Sequence, residues 1–68
     1  MAEIWVIWCW VPNPERECYD DPEEIDRAFC RADACDVAQE LRGRWPGHLF
    51  GVLPAGRQAK PAMWGGGA

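Results

Sequence analysis

Four cysteines and a single histidine are the residues with the widest chemical range in this chain of 68 residues. Cys9, Cys18, Cys30 and Cys35 are separated by eight, eleven and four residues, with no Cys-x-x-Cys knuckle. A tetrahedral zinc site would need all four thiolates, or three with His48, to converge at about 2.3 Å. Nothing in the spacing demands that, so no metal and no cofactor is expected. If a metal were bound, Cys9, Cys18, Cys30 and Cys35 would be its ligands. The favoured reading is four free thiols that pack as small apolar residues. Among possible disulfides, Cys9–Cys18 is the best-placed pair. Cys30 and Cys35 lie five apart and do not face each other on one helix.

Other chemistry is thinner still. A Cys/His nucleophilic site would have to use His48, and no third group is identifiable to orient it. Asp20, Asp21, Glu23, Glu24 and Asp26 cluster, but a helix N-terminus attracts acids without any catalytic role. Ser and Thr are absent, which removes hydroxyl nucleophiles. The stretch from Gly51 to Gly56 lacks the spacing and the Lys-Ser/Thr of a phosphate-binding loop. The chain is therefore expected not to be an enzyme.

What is abundant is aromatic surface. Five Trp is a heavy load for this length. Trp carries a large apolar area with one N–H to satisfy, and it serves cores and interfaces alike. Trp8, Trp10, Trp45 and Trp64 are the interface candidates, with Arg44 and Arg57 at the rim. The formal charge of −4 is unevenly spread. Residues 1–40 hold all eleven acids and three arginines, a net −8, whereas residues 41–68 hold three arginines, one lysine and no acid, a net +4. A basic C-terminal half with aromatics would suit weak nucleic-acid binding. An overall pI of about 4.7 argues against that reading.

The elements that must carry these residues read as follows. Ile4 to Val11 is β-branched and aromatic, a strand with apolar side chains on both faces. Pro12-Asn13-Pro14 turns the chain. Glu15 to Tyr19 offers a short second strand, which a turn between Asn13 and Pro14 would pair so that Cys9 lies opposite Cys18. Asp21-Pro22-Glu23-Glu24 looks like a helix start, with a cap, a first-turn proline and a returning acid. That helix should run from Pro22 to about Arg42, with Gly43 ending it. Its apolar pattern changes phase, however. Ile25, Ala28, Phe29 and Ala32 form one stripe, and Cys30, Ala34, Val37 and Leu41 form another on nearly the opposite side. Either the helix breaks near residues 31–33, with Asp33 as a second cap, or one helix touches two partners. His48 to Leu53 is a second firm strand, and Gln58 to Trp64 a weak last one.

The expected fold is thus α+β. A single-layer sheet of two to four strands, in the order β-(β)-α-β-(β), packs on one helix. Residues 1–54 form the domain, and residues 55–68 a Pro/Gly/Ala-rich tail that is partly ordered at most. One helix covers one sheet face, so the doubly apolar first strand leaves its other face for a partner, most simply a second copy. The alternative is that Trp45, Trp64 and the tail fold over it. The resulting expectation is a small protein-interaction module, an adaptor, inhibitor or regulator, that pairs with itself and with another protein. The alternatives are a cysteine-based zinc or redox domain and a weak nucleic-acid binder. The N-terminus lacks a signal-peptide pattern and no stretch is long enough to span a bilayer, so a cytoplasmic location is expected. The Ala, Gly, Arg, Pro and Trp usage fits a GC-rich genome such as that of an actinobacterium or its phage.

Overall fold

The computed structural model describes residues 3–62. Strand β1 (Trp5–Trp10) is followed by two short strands, β2 (Pro12–Asn13) and β3 (Cys18–Tyr19). Then come β4 (Glu23–Ala28), helix α1 (Arg31–Arg44) and β5 (Leu49–Pro54). The main sheet has the order β4-β1-β5, and both outer strands run antiparallel to β1. The first strand in sequence is therefore the centre of the sheet. The architecture is α+β, one helix on a three-stranded antiparallel sheet, with β2 and β3 as a separate small ribbon.

The alternation of β1 divides the interior in two. Ile7 and Cys9 point to the helix side and pack with Ala34, Ala38 and Phe50. Ile7 is fully buried. The small side chains of Ala34 and Ala38 let α1 lie close to the sheet, while Val37 and Leu41 flank the contact. Val6 and Trp8 point the other way and pack with Ala59, Trp10 and Leu53. Ala59 comes from the segment after β5. The chain turns at Ala55-Gly56, where Gly56 takes a φ of 93° that side-chain-bearing residues avoid. Arg57 N–H closes the turn on the Pro54 carbonyl at 3.1 Å, and Ala55 N–H donates to the Ile4 carbonyl at 2.8 Å. Residues 57–62 then cross the second face of the sheet without forming a strand. The sheet face expected to await a partner is thus covered from within the chain, at Ala59.

Four local expectations need correcting. The helix does not begin at Pro22. Residues 23–28 form β4, which pairs with β1 from Cys9↔Glu23 to Trp5↔Ala28. The backbone of β1 needs hydrogen-bonding neighbours on both edges, and that tertiary demand outweighs the local helix-start signal. The phase change in the apolar pattern has the same origin. Its first stripe runs from β4 (Ile25, Ala28) through the connection (Phe29) into the first turn of α1 (Ala32), and its second starts at the N-cap Cys30 and continues along α1. Helix α1 is capped by Cys30, whose Sγ accepts from Asp33 N–H at 3.4 Å, so Asp33 lies inside the first turn and is not a second cap.

The other end of the helix also differs. It continues through Gly43 to Arg44, and Trp45 N–H closes it on the Leu41 carbonyl at 2.8 Å. Finally, the hairpin register is shifted from the one expected. Asn13 pairs with Cys18 and Pro12 with Tyr19, so Cys18 does not lie opposite Cys9. The turn spans Pro14 to Glu17, two residues more than a tight turn allows, and Glu17 takes a φ of 53°.

Strand β4 carries a bulge. Ile7 faces Asp26 and Trp8 faces Glu24, so Ile25 is the extra residue between them. The bulge resets the alternation and puts Glu24 and Arg27 on one face, where they form an ion pair. Ile25 joins Glu23 on the helix side.

Candidate functional site

Two concave regions lie on opposite sides of the sheet. The first opens between the C-terminal end of α1 and β4. It is a cleft of about 260 Å³ lined by Cys9, Val11, Glu23, Ile25, Leu41, Trp45, His48 and Phe50. Its floor follows from the fold, since Cys9 pairs with Glu23 on one side and Phe50 on the other. The turn Trp45-Pro46-Gly47 brings an aromatic row along one wall. The His48 ring stacks on Phe50 with centroids 6.3 Å apart and 16° between planes, and it meets Trp45 at 5.8 Å. Trp45 is 55% exposed and Ile25 43%, both large values for apolar side chains. His48 Nδ1 is buried in this wall with no hydrogen-bond partner among the described residues.

The cleft brings Cys9 and His48 to one place, the pair a thiol nucleophile would use. The electrostatics run against that use. Burial pushes the Cys9 thiol up, and the Glu23 carboxylate pushes it further. A reactive thiol needs the opposite, a neighbourhood that stabilises thiolate. The four cysteines are free, with Cys9 buried, Cys18 half-buried, and Cys30 and Cys35 exposed. No group of three or more His, Cys, Asp or Glu side chains converges among the described residues.

The second region runs along β5 on the far side. This groove of about 340 Å³ is lined by Trp10, Gly51, Val52, Leu53, Arg57, Gln58, Ala59 and Lys60. Trp10 builds it. Its Nε1–H donates to the Lys60 carbonyl at 2.9 Å and so ties the segment after β5 to the sheet. Its ring lies against Gly51. A Cβ at that position would stand 3.1 Å from the Trp10 ring, so the residue is glycine where the indole must lie flat on the strand.

The six interface candidates fall into two pairs and two single residues. Trp45 and Arg44 sit together at the end of α1, where Arg44 is exposed and pairs with Glu40 at 3.2 Å. Trp10 and Arg57 meet in the groove beside β5. Trp8 is only 8% exposed, with its Nε1 buried and unpartnered among the described residues. Trp64 lies outside the described residues. Sequence reasoning missed Ile25 and His48 as cleft residues. The sequence places Ile25 in a helix stripe, whereas in the strand β4 it shares the helix side of the sheet with Glu23. Among the described residues no helix is long and apolar enough to cross a membrane. No family model, curated protein or solved structure matches the chain.

Proposed function

We propose that the chain is a non-enzymatic protein-interaction module, an adaptor or regulator, that works as a homodimer joined at the cleft beside Trp45. The observation that carries this reading is an open apolar cleft rimmed by two large exposed apolar side chains, Trp45 and Ile25. Exposed apolar surface gathered around a concavity marks interaction sites more often than scattered apolar residues do. Aromatic anchors that fill such pockets dominate binding energy.

A second copy is the occupant favoured by charge. One rim of the cleft is β4, whose Glu23 lines it. The other is the helix end, with the exposed Arg44 in its last turn. A two-fold axis through the cleft would set the acidic rim of each protomer against the basic rim of the other, a self-complementary arrangement. The apolar centre would hold Trp45 of both copies, with His48 Nδ1 able to find a partner across the interface.

Sedimentation of the purified chain tests this. A dimer is expected at micromolar concentration. Trp45→Ala should weaken it by about 2 kcal/mol, an ordinary value for a central anchor, or about thirtyfold in Kd. Glu23→Lys and Arg44→Glu should each weaken the dimer, and combining them should restore part of the loss. A chain that stays monomeric at high micromolar concentration with its fold intact would sink the proposal.

A further inference from the structure

We propose that the outer edge of β5, with the groove beside it, takes an extended acidic segment of a partner protein as an additional strand. Three observations lead there. The first is a contrast between the two sheet edges. Among the six residues of β4 are Glu23, Glu24, Asp26 and Arg27, and the strand is bulged, two devices that discourage edge pairing. Strand β5 reads Leu-Phe-Gly-Val-Leu-Pro, carries no charge, pairs without a register shift over its six residues, and has its one edge-blocking residue, Pro54, at its very end. Among the described residues no strand pairs with its outer edge; Arg42 fills the Phe50 carbonyl and Arg57 N–H the Pro54 carbonyl, which leaves both backbone groups of Val52 and the Phe50 N–H to receive an added strand.

The second is the shape of the groove. Gly51, Val52 and Leu53 all line it. Consecutive strand residues point to opposite faces, so what these three share towards one groove is their backbone edge. The floor is made by Trp10 and Ala59, and it offers an apolar seat for alternate side chains of an added strand. Main-chain bonds to the edge would supply affinity, and that seat would supply selection.

The third is charge. Arg57 and Lys60 line the groove on one side of β5. On the helix side, Arg42 reaches the same strand and donates from Nη2 to the Phe50 carbonyl at 3.0 Å. Cations therefore flank the edge on both faces, and among the described residues no acidic side chain pairs with any of the three. A second copy pairing β5 to β5 would bring like charges together. An acidic segment meets opposite charge along its length. The site lies on the other side of the sheet from the Trp45 cleft, so both can be occupied at once, as an adaptor requires.

The test titrates the full chain with fluorescein-labelled synthetic peptides and reads anisotropy. The reference probe alternates Glu with Val. A second has Lys for every Glu, and a third is acidic with prolines that remove alternate backbone donors. The acidic reference should bind at micromolar concentration, and the other two should bind about tenfold or more weakly, the size of one good charge pair or hydrogen bond. Arg57→Glu combined with Lys60→Glu should weaken the reference by about tenfold while leaving the circular dichroism spectrum unchanged. Trp45→Ala should bind it like the parent chain, whatever that variant does to dimerisation. Slowed exchange of amides in residues 49–54 on binding would localise the strand. Equal binding of the proline probe overturns strand addition, and tighter binding of an oligonucleotide of equal charge overturns the peptide assignment. Self-association abolished by the double charge variant would assign the edge to a second copy instead.

Discussion

At Cys9 the surroundings decide what a thiol can do. The side chain is buried in the helix-side core and stands opposite Glu23. Desolvation and then the carboxylate raise its pKa above the ordinary 9.0. The folded chain therefore holds this proton more tightly than the unfolded chain does. The stability it contributes is fully present below about pH 9 and is lost as pH rises through the folded value. Urea unfolding at increasing pH should show the parent chain losing stability above pH 9 more steeply than Cys9→Ala, after each is referenced to its own value at pH 7. Thiol labelling gives an independent reading. Cys30 and Cys35 should react with an aromatic disulfide reagent at neutral pH within seconds to minutes, whereas Cys9 should react only on unfolding. Rapid labelling of Cys9 in the native chain would contradict its burial. The sequence could suggest that the thiols pack as apolar residues. It could not say which one is buried, because that depends on which face of β1 the helix covers.

The helix and its neighbour strand show how much local signals decide. The sheet centre was legible because Ile4 to Val11 has no amphipathic helix reading, and His48 to Leu53 was legible for the same reason. The stripe Ala34, Val37 and Leu41 was legible as a helix face, and it is the face packed on the sheet. Residues 23–28 were not, because Asp21-Pro22-Glu23-Glu24 carries strong helix-start chemistry and only Ile25 favours a strand. What turned them was the unpaired edge of β1, a demand set by residues far away in sequence. The phase change at residues 31–33 was the one visible trace of it. The true start of α1 is weakly capped, since a thiol sulfur is a poor acceptor compared with a carboxylate. Cys30→Asp should therefore stabilise the chain by about 0.5–1 kcal/mol, through a better cap and a favourable charge at the helix N-terminus. A raised urea midpoint with an unchanged slope would be the signature, and an unchanged midpoint would mean that the cap geometry rejects the carboxylate.

For the whole molecule, the decisive feature is that both faces of a single strand are covered by different parts of one chain. The helix covers Ile7 and Cys9, and residues 57–62 cover Val6 and Trp8. A chain ended after Gly56 would lose Ala59 and the Lys60 carbonyl that Trp10 bonds. It should bind a hydrophobic dye, show red-shifted Trp emission, and unfold at lower urea, since small domains have only about 5 kcal/mol in reserve. The proximity of this segment to β5 also creates the groove, so the same truncation should abolish acidic-peptide binding. The composition of this segment hid its role, because no hydrophobic period marks a segment that contributes one buried alanine and a carbonyl. The central position of β1 has a further consequence for biosynthesis. The eight apolar residues from Ile4 to Val11 are made well before their cover, since β5 and residues 57–62 come about fifty residues later. At the usual 5–20 residues per second, that is a wait of roughly three to ten seconds. During it the nascent chain presents Ile-Trp-Val-Ile-Trp-Cys-Trp-Val with neither face covered, the kind of segment that holding chaperones recognise, so the yield of this protein in a cell should respond to chaperone supply more than its small size suggests.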